Sequence, residues 1–167
     1  MDYTSWDRTD RDAPRLLADA GPEQLAVFGQ QEATVGDATW SLETADTTAT
    51  ASGSDGSVYR LDGHRRKDDR LVADLAGRRV EFHNEKRNDW VIVDDHDEKI
   101  GQFSGANSGV RRAIVEFDGP AKLSGPETVA VSWLARLILE ARLEKKTTGL
   151  IATLVVSTLV ALVAFFS

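Results

Sequence analysis

The chain has 167 residues, no cysteine and a formal net charge of −7. That length allows one domain plus a short appendage, and the missing cysteines exclude disulfides and thiolate metal sites, which suits a reducing compartment. The acidic balance argues against a general nucleic-acid binder, which would show a basic face.

Residues 1–22 read as a polar N-terminal segment with a short helix. Met1–Asp12 is polar, with Tyr3 and Trp6 interspersed, and is expected to be disordered until something docks it. Asp12 can cap a short helix through Pro14, Leu16, Leu17 and Ala20, with Gly21-Pro22 as its stop. This first part of the chain is strongly acidic. Residues 1–57 carry eleven acidic and three basic side chains, whereas residues 58–121 carry thirteen and twelve.

Residues 23–124 read as a β-rich domain. From Leu25 to Phe117 the pattern is period two, in short segments rich in Val, Ile, Phe, Tyr, Trp and Thr. The segments are LAVFGQQEATV, ATWSLETA, SVYRL, RLVADL, RRVEFH, DWVIVD, KIGQF and RAIVEF. Turn chemistry separates them at Gly36-Asp37, Asp55-Gly56, Asp62-Gly63, Ala76-Gly77, Asn88-Asp89 and Asp94 to Glu98. This spacing predicts an antiparallel meander, barrel or sandwich of eight or nine strands. Thr47–Ala51 reads as a further strand or as a loop. Trp90-Val91-Ile92-Val93 is apolar on both faces, which predicts a central strand covered on both sides.

Residues 125–146 read as a hydrophobic linking helix, with Glu127–Leu143 helical. Its polar residues Thr128, Ser132, Arg136, Glu140 and Glu144 fall four apart in one narrow stripe. Arg136 and Glu140 are spaced to pair along that stripe. So narrow a stripe means apolar surroundings on nearly every side: either the sheet wraps around the helix, or the helix lies half-sunk in a membrane surface.

Residues 147–167 read as one transmembrane helix. Thr148–Ser167 has no charge, proline or amide side chain, and as a helix it would span about 30 Å, the thickness of a hydrocarbon core. Arg142, Lys145 and Lys146 flank it, and flanking positive charge prefers the cytoplasmic side. The expectation is a single-pass, tail-anchored protein of the cell membrane with its N-terminal domain in the cytoplasm. Thr153, Ser157 and Ala161 recur every four residues, a small-residue ridge through which two such helices could dimerise.

Repeated hairpins followed by a hydrophobic helix give this chain a look that resembles the tubby C-terminal-like superfamily, which includes the LURP-one-related proteins and phospholipid scramblases. The stretches that carry the resemblance are Trp90–Asp94 with Lys99–Phe103, then Ala113–Gly119 and the helix from Val129 to Leu139. The resemblance covers residues 56–143 and implies a barrel of about a dozen strands closed around the last helix. It also implies a membrane-proximal binding module rather than an enzyme. The calcium-binding and cysteine-rich features of scramblases are not recognisable here, and the apolar tail is extra.

Candidate chemistry is sparse. Asp94-Asp95-His96-Asp97-Glu98 is the densest set of metal-type ligands, but adjacent residues of a tight turn point apart and the spacing is not that of a calcium loop. His64, His83 and His96 share no metal or nucleophile motif. The glycine- and serine-rich Ser104–Gly109 lacks the lysine of a phosphate loop. No cofactor is expected, and no catalytic residue is assigned. The basic clusters Arg65-Arg66-Lys67, Arg78-Arg79, Lys86-Arg87 and Arg111-Arg112 lie at turns or strand ends. Gathered on one rim facing the membrane, they would contact anionic lipid headgroups. The expectation is a non-catalytic domain that binds a protein partner or such headgroups at the bilayer. The alternatives are an enzyme processing a lipid or small molecule in a barrel mouth with His64, His83, Asp94 and His96, and a scaffold subunit of a membrane complex.

Overall fold

The computed structural model describes residues 1–19, 21–86, 88–105, 114–118 and 122–143. The strands are β1 (Tyr3–Asp7), β2 (Arg15–Ala18), β3 (Gln24–Phe28), β4 (Glu32–Val35), β5 (Ala38–Thr44) and β6 (Thr48–Gly53). They continue as β7 (Val58–Asp62), β8 (Arg70–Leu75), β9 (Arg78–Lys86), β10 (Asp89–Asp94), β11 (Lys99–Ser104) and β12 (Val115–Phe117). A helix, α1, follows at residues 125–143. Each strand pairs antiparallel with its chain neighbours, and β12 pairs back onto β1, so the sheet closes into a barrel.

The period-two pattern does what it predicts. Ala33 and Val35, Trp40 and Leu42, Tyr59 and Leu61, and Val80 and Phe82 all point inward and are buried. Helix α1 fills the space they enclose. Residues 129–135 are buried without interruption, as only a helix surrounded on every side can be. Inward alanines at positions 26, 33, 49, 51 and 73 leave room for its bulk, while Trp40, Trp90 and Phe28 fill the gaps beside it. At the helix start, Ser124 N–H donates to Glu127 Oε2 at 2.6 Å and Glu127 N–H to Ser124 Oγ at 3.3 Å, a reciprocal cap.

The polar stripe of α1 faces β1. Ser132 Oγ donates to Thr128 O at 2.7 Å and so accepts from Thr4 Oγ1, also at 2.7 Å. One turn on, the Arg136 guanidinium lies 4.6 Å from the Trp6 ring centre and pairs with Glu140 at 2.8 Å, as its spacing predicts. Arg8 reaches the same Glu140 at 4.0 Å. Alternate residues of β1, with Arg8 just past its end, thus match the stripe of the helix position by position. Of the two settings open to an almost wholly apolar helix, the barrel interior is the one observed.

Several expectations are corrected. Among the described residues twelve strands stand where eight or nine were expected. Tyr3–Asp7 is strand, not disordered, and Arg15–Ala18 is strand, not a short helix. Pro14, Leu16 and Ala18 are all buried, a period-two face that a helix of so few residues has no cooperativity to override. The Gly21–Pro22 peptide, cis, lies in the β2–β3 turn. The segment LAVFGQQEATV is two strands, and Thr48–Gly53 is a strand. In β10 the outward face is covered in part: Val91 is half-buried between its strand neighbours His83 and Gln102, and Val93, beside Glu81, is buried. Gly101, inside β11, marks close packing of strands, because a Cβ there would run into the Glu116 carbonyl. Among the described residues no helix is long and apolar enough to cross a membrane. The expected span, with Thr153, Ser157, Ala161, Lys145 and Lys146, lies outside the described residues.

Because α1 is the core, truncating it should cost far more than truncating the barrel surface. Leu134→Ala, at a fully buried position, is expected to lower stability by about 3 kcal/mol. Val58→Ala, at a site 44% exposed, should change it by less than about 0.5 kcal/mol. Denaturant unfolding of both variants checks this; equal small losses would place the helix outside the core.

Candidate functional site

The alternation of strand directions sorts every turn to one of two mouths. Residues 19 and 21–23, 36–37, 54–57, 76–77 and 95–98 lie at the mouth where α1 starts. Residues 8–14, 29–31, 45–47 and 63–69 turn at the mouth where α1 exits, as do the ends of β9 and β11. Contacts along α1 agree: Glu127 meets Arg78 at the start mouth, and Arg142 meets Asp69 at the exit mouth.

The two mouths differ in charge. Start-mouth turns carry Asp19 and Glu23, Asp37, Asp55, and the run Asp94, Asp95, Asp97 and Glu98, and Asp74 accepts the Gly77 N–H. Much of this acid is turn chemistry. Asp94 accepts the Glu98 and His96 backbone N–H groups, each at 2.9 Å, and those bonds hold its carboxyl below the usual carboxylate range. Asp94, Asp95 and His96 bring ligand-type atoms within 4.8 Å of one another, on a turn these bonds already explain. A cavity of about 470 Å³ opens at this mouth between Ile100, Phe117, Leu123 and Thr128 on its floor and Asp2, Asp118 and Lys122 on its rim.

The exit mouth carries the basic loop His64–Lys67. Arg65 is spent on structure: its guanidinium donates to Thr48 O at 2.8 Å and Ala45 O at 2.5 Å, stapling the β5–β6 turn, and burial lowers its pKa. Arg66 and Lys67 are exposed on the same loop, and Lys86 is exposed at the end of β9. A small cleft of about 130 Å³ separates Arg65 and Arg66 from Leu137, Glu140 and Ala141 of α1.

The predicted basic set therefore does not gather on one rim. Arg65, Arg66, Lys67 and Lys86 share the exit mouth. Arg78 and Arg79 stand at the opposite end of β9, where Arg78 donates to Lys122 O at 3.0 Å and Arg79 binds Glu81 at 2.9 Å. Arg87, Arg111 and Arg112 lie outside the described residues. Arg142, expected to flank a membrane span, instead folds back into the mouth. Its side chain is only 13% exposed, lies 5.1 Å from the Trp90 ring centre and donates to the Asp68 carbonyl. Helix direction decides this, because the last turn of α1 is still inside the barrel. The candidate catalytic set is dispersed: His64 is at the exit mouth, His83 on the outer wall, and Asp94 and His96 at the start mouth.

One cluster went unread in the sequence. On the outer wall, His83, Arg79 and Arg70 converge on the buried carboxylate of Glu81, with His83 Nε2 at 2.9 Å. The i, i+2 spacing of Arg79, Glu81 and His83 on one strand face was the available signal, but Arg70 joins only through strand pairing. No protein family, curated protein or solved structure matches this chain.

The Glu81 cluster makes stability depend on pH. Hydrogen bonds from His83, Arg79 and Arg70 lower its pKa from 4.5 to about 2 in the folded chain. A depressed carboxyl contributes stability that is complete above its unfolded pKa and is lost as pH falls through the folded one. The stability gap between wild type and Glu81→Gln should shrink as pH falls from about 5 to about 2. Denaturant midpoints at several pH values measure it, and a pH-independent gap would refute the role.

Proposed function

We propose that this chain is a membrane-anchored, non-catalytic binding module whose exit mouth faces the cytoplasmic surface of a bilayer and contacts anionic headgroups. The observation that carries the proposal is the direction of α1. The chain leaves the barrel at the mouth that bears Arg66, Lys67 and Lys86, and the apolar stretch Thr148–Ser167 begins a few residues later. A tether that short holds one mouth near the membrane and leaves the acidic start mouth pointing away.

Charge supports this orientation. An anionic surface attracts basic side chains by about 1 kcal/mol each and repels carboxylates over a Debye length. Asp10, Asp12, Asp46, Asp68, Asp69 and Glu85 at the same mouth oppose the attraction, so headgroup contact is weak and serves mainly to orient the barrel, while the tail supplies most of the affinity. The proposal extends to kinship with the tubby-like superfamily, since a barrel closed on its last apolar helix is the architecture that resemblance implies.

Two measurements test the reading. Alkaline carbonate should leave the full-length chain in the membrane pellet, and release would refute the anchor. Residues 1–146 should cosediment with anionic but not neutral vesicles at low salt, and Lys67→Glu with Lys86→Glu should abolish it. Binding unaffected by that pair, or equal on both vesicle types, refutes the exit mouth as the contact. No binding at all would turn the search toward a protein partner.

A further inference from the structure

Buried N–H groups without an acceptor cost free energy comparable with a lost hydrogen bond, so native interiors rarely hold them. The exit mouth holds two side by side. Trp90, 1% exposed, has its Nε1–H buried without a partner, and so has Arg142 its Nε–H, with the guanidinium 5.1 Å from the Trp90 ring centre. In the loop that Arg142 touches, His64 Nδ1 is also buried without a partner. Asn88, 8% exposed and in the turn just before β10, brings an amide to the same end of the barrel.

We infer that the exit mouth contains an oxyanion site, in which a phosphate-type oxygen accepts from the Trp90 indole N–H and the Arg142 guanidinium together. The charge selects an anion over a neutral acceptor. The Arg142 guanidinium is permanently cationic, and a charged donor binds a charged acceptor most strongly. Its present partners leave it room: Asp68 offers only a backbone carbonyl, and the Asp69 carboxylate, 3.4 Å away, is 73% exposed and screened by solvent. The contrast with Trp6 sharpens the point. Its indole N–H is unpartnered too, but its stacked Arg136 already donates Nε–H to Glu140 at 2.8 Å. The phosphate-type oxygen belongs either to free phosphate or, on the membrane-facing reading above, to a lipid headgroup.

The test follows the indole N–H resonances of the full-length, nitrogen-15-labelled chain in alkyl maltoside micelles, which carry no phosphate, with Trp90→Phe assigning the relevant peak. One arm adds inorganic phosphate at constant ionic strength, and the other adds phosphatidylglycerol to the micelles without inorganic phosphate. The Trp90 peak should move saturably in one arm or both, and Trp6 should stay in place. A response to phosphate identifies the free ion as a ligand, and a response confined to phosphatidylglycerol identifies the headgroup. Arg142→Gln should weaken the response about tenfold or more. A Trp90 peak unmoved in both arms of a folded sample overturns the site, as does an unchanged response in Arg142→Gln. A full-length chain that stays soluble and monomeric without detergent overturns the anchored reading alone, because the phosphate arm is then run on the free chain.

Discussion

Everything in this molecule depends on enclosing α1. A helix buried over residues 129–135 without a break has no face to give to water, so its surroundings must close around it. An open sheet covers one side of a helix, and only a closed one covers all sides while leaving no unpaired strand edge. The twelve hairpin-connected strands are one answer to that single demand.

Enclosure then dictates where polarity goes. The stripe of Thr128, Ser132, Arg136 and Glu140 must be met inside the barrel, and β1 meets it with Thr4 and Trp6, joined by Arg8 just past the strand end. Strand β1 closes the ring with β12 through a short ladder. The hydroxyl pair Thr4–Ser132 and the stacked Arg136–Trp6 therefore set helix rotation and ring closure at once. Polar contacts that fix register in this way specify one arrangement even where their net energy is small.

A helix threaded through a barrel also makes its two mouths unequal. One receives the turn chemistry of the even-numbered hairpins, from β2–β3 to β10–β11, dense in aspartate, and the other receives the loops around the outgoing chain. The basic residues divide accordingly. Lys67 and Lys86 remain solvent-facing at the exit, whereas Arg65, Arg78, Arg79 and Arg142 are drawn into bonds that serve the fold. A basic cluster in a sequence does not distinguish these fates, because a neighbour seventeen or seventy-four residues away decides them.

Local chemistry was enough to determine a β-rich chain, most of its hairpins, the amphipathic limits of α1 and the Arg136–Glu140 pair, because each depends on residues a few positions apart. Strands β1 and β2 were not legible on those terms. Thr4 reads as a surface threonine until Ser132 is placed against it, and Pro14-Arg15-Leu16-Leu17 suits a helical turn until β1 and β3 supply backbone partners on both sides. Tertiary structure alone decided ring closure, the convergence of Arg70, Arg79 and His83 on Glu81, and the mouth into which Arg142 folds. Each is a contact between residues distant in the chain, and its energy exists only once the barrel has brought them together.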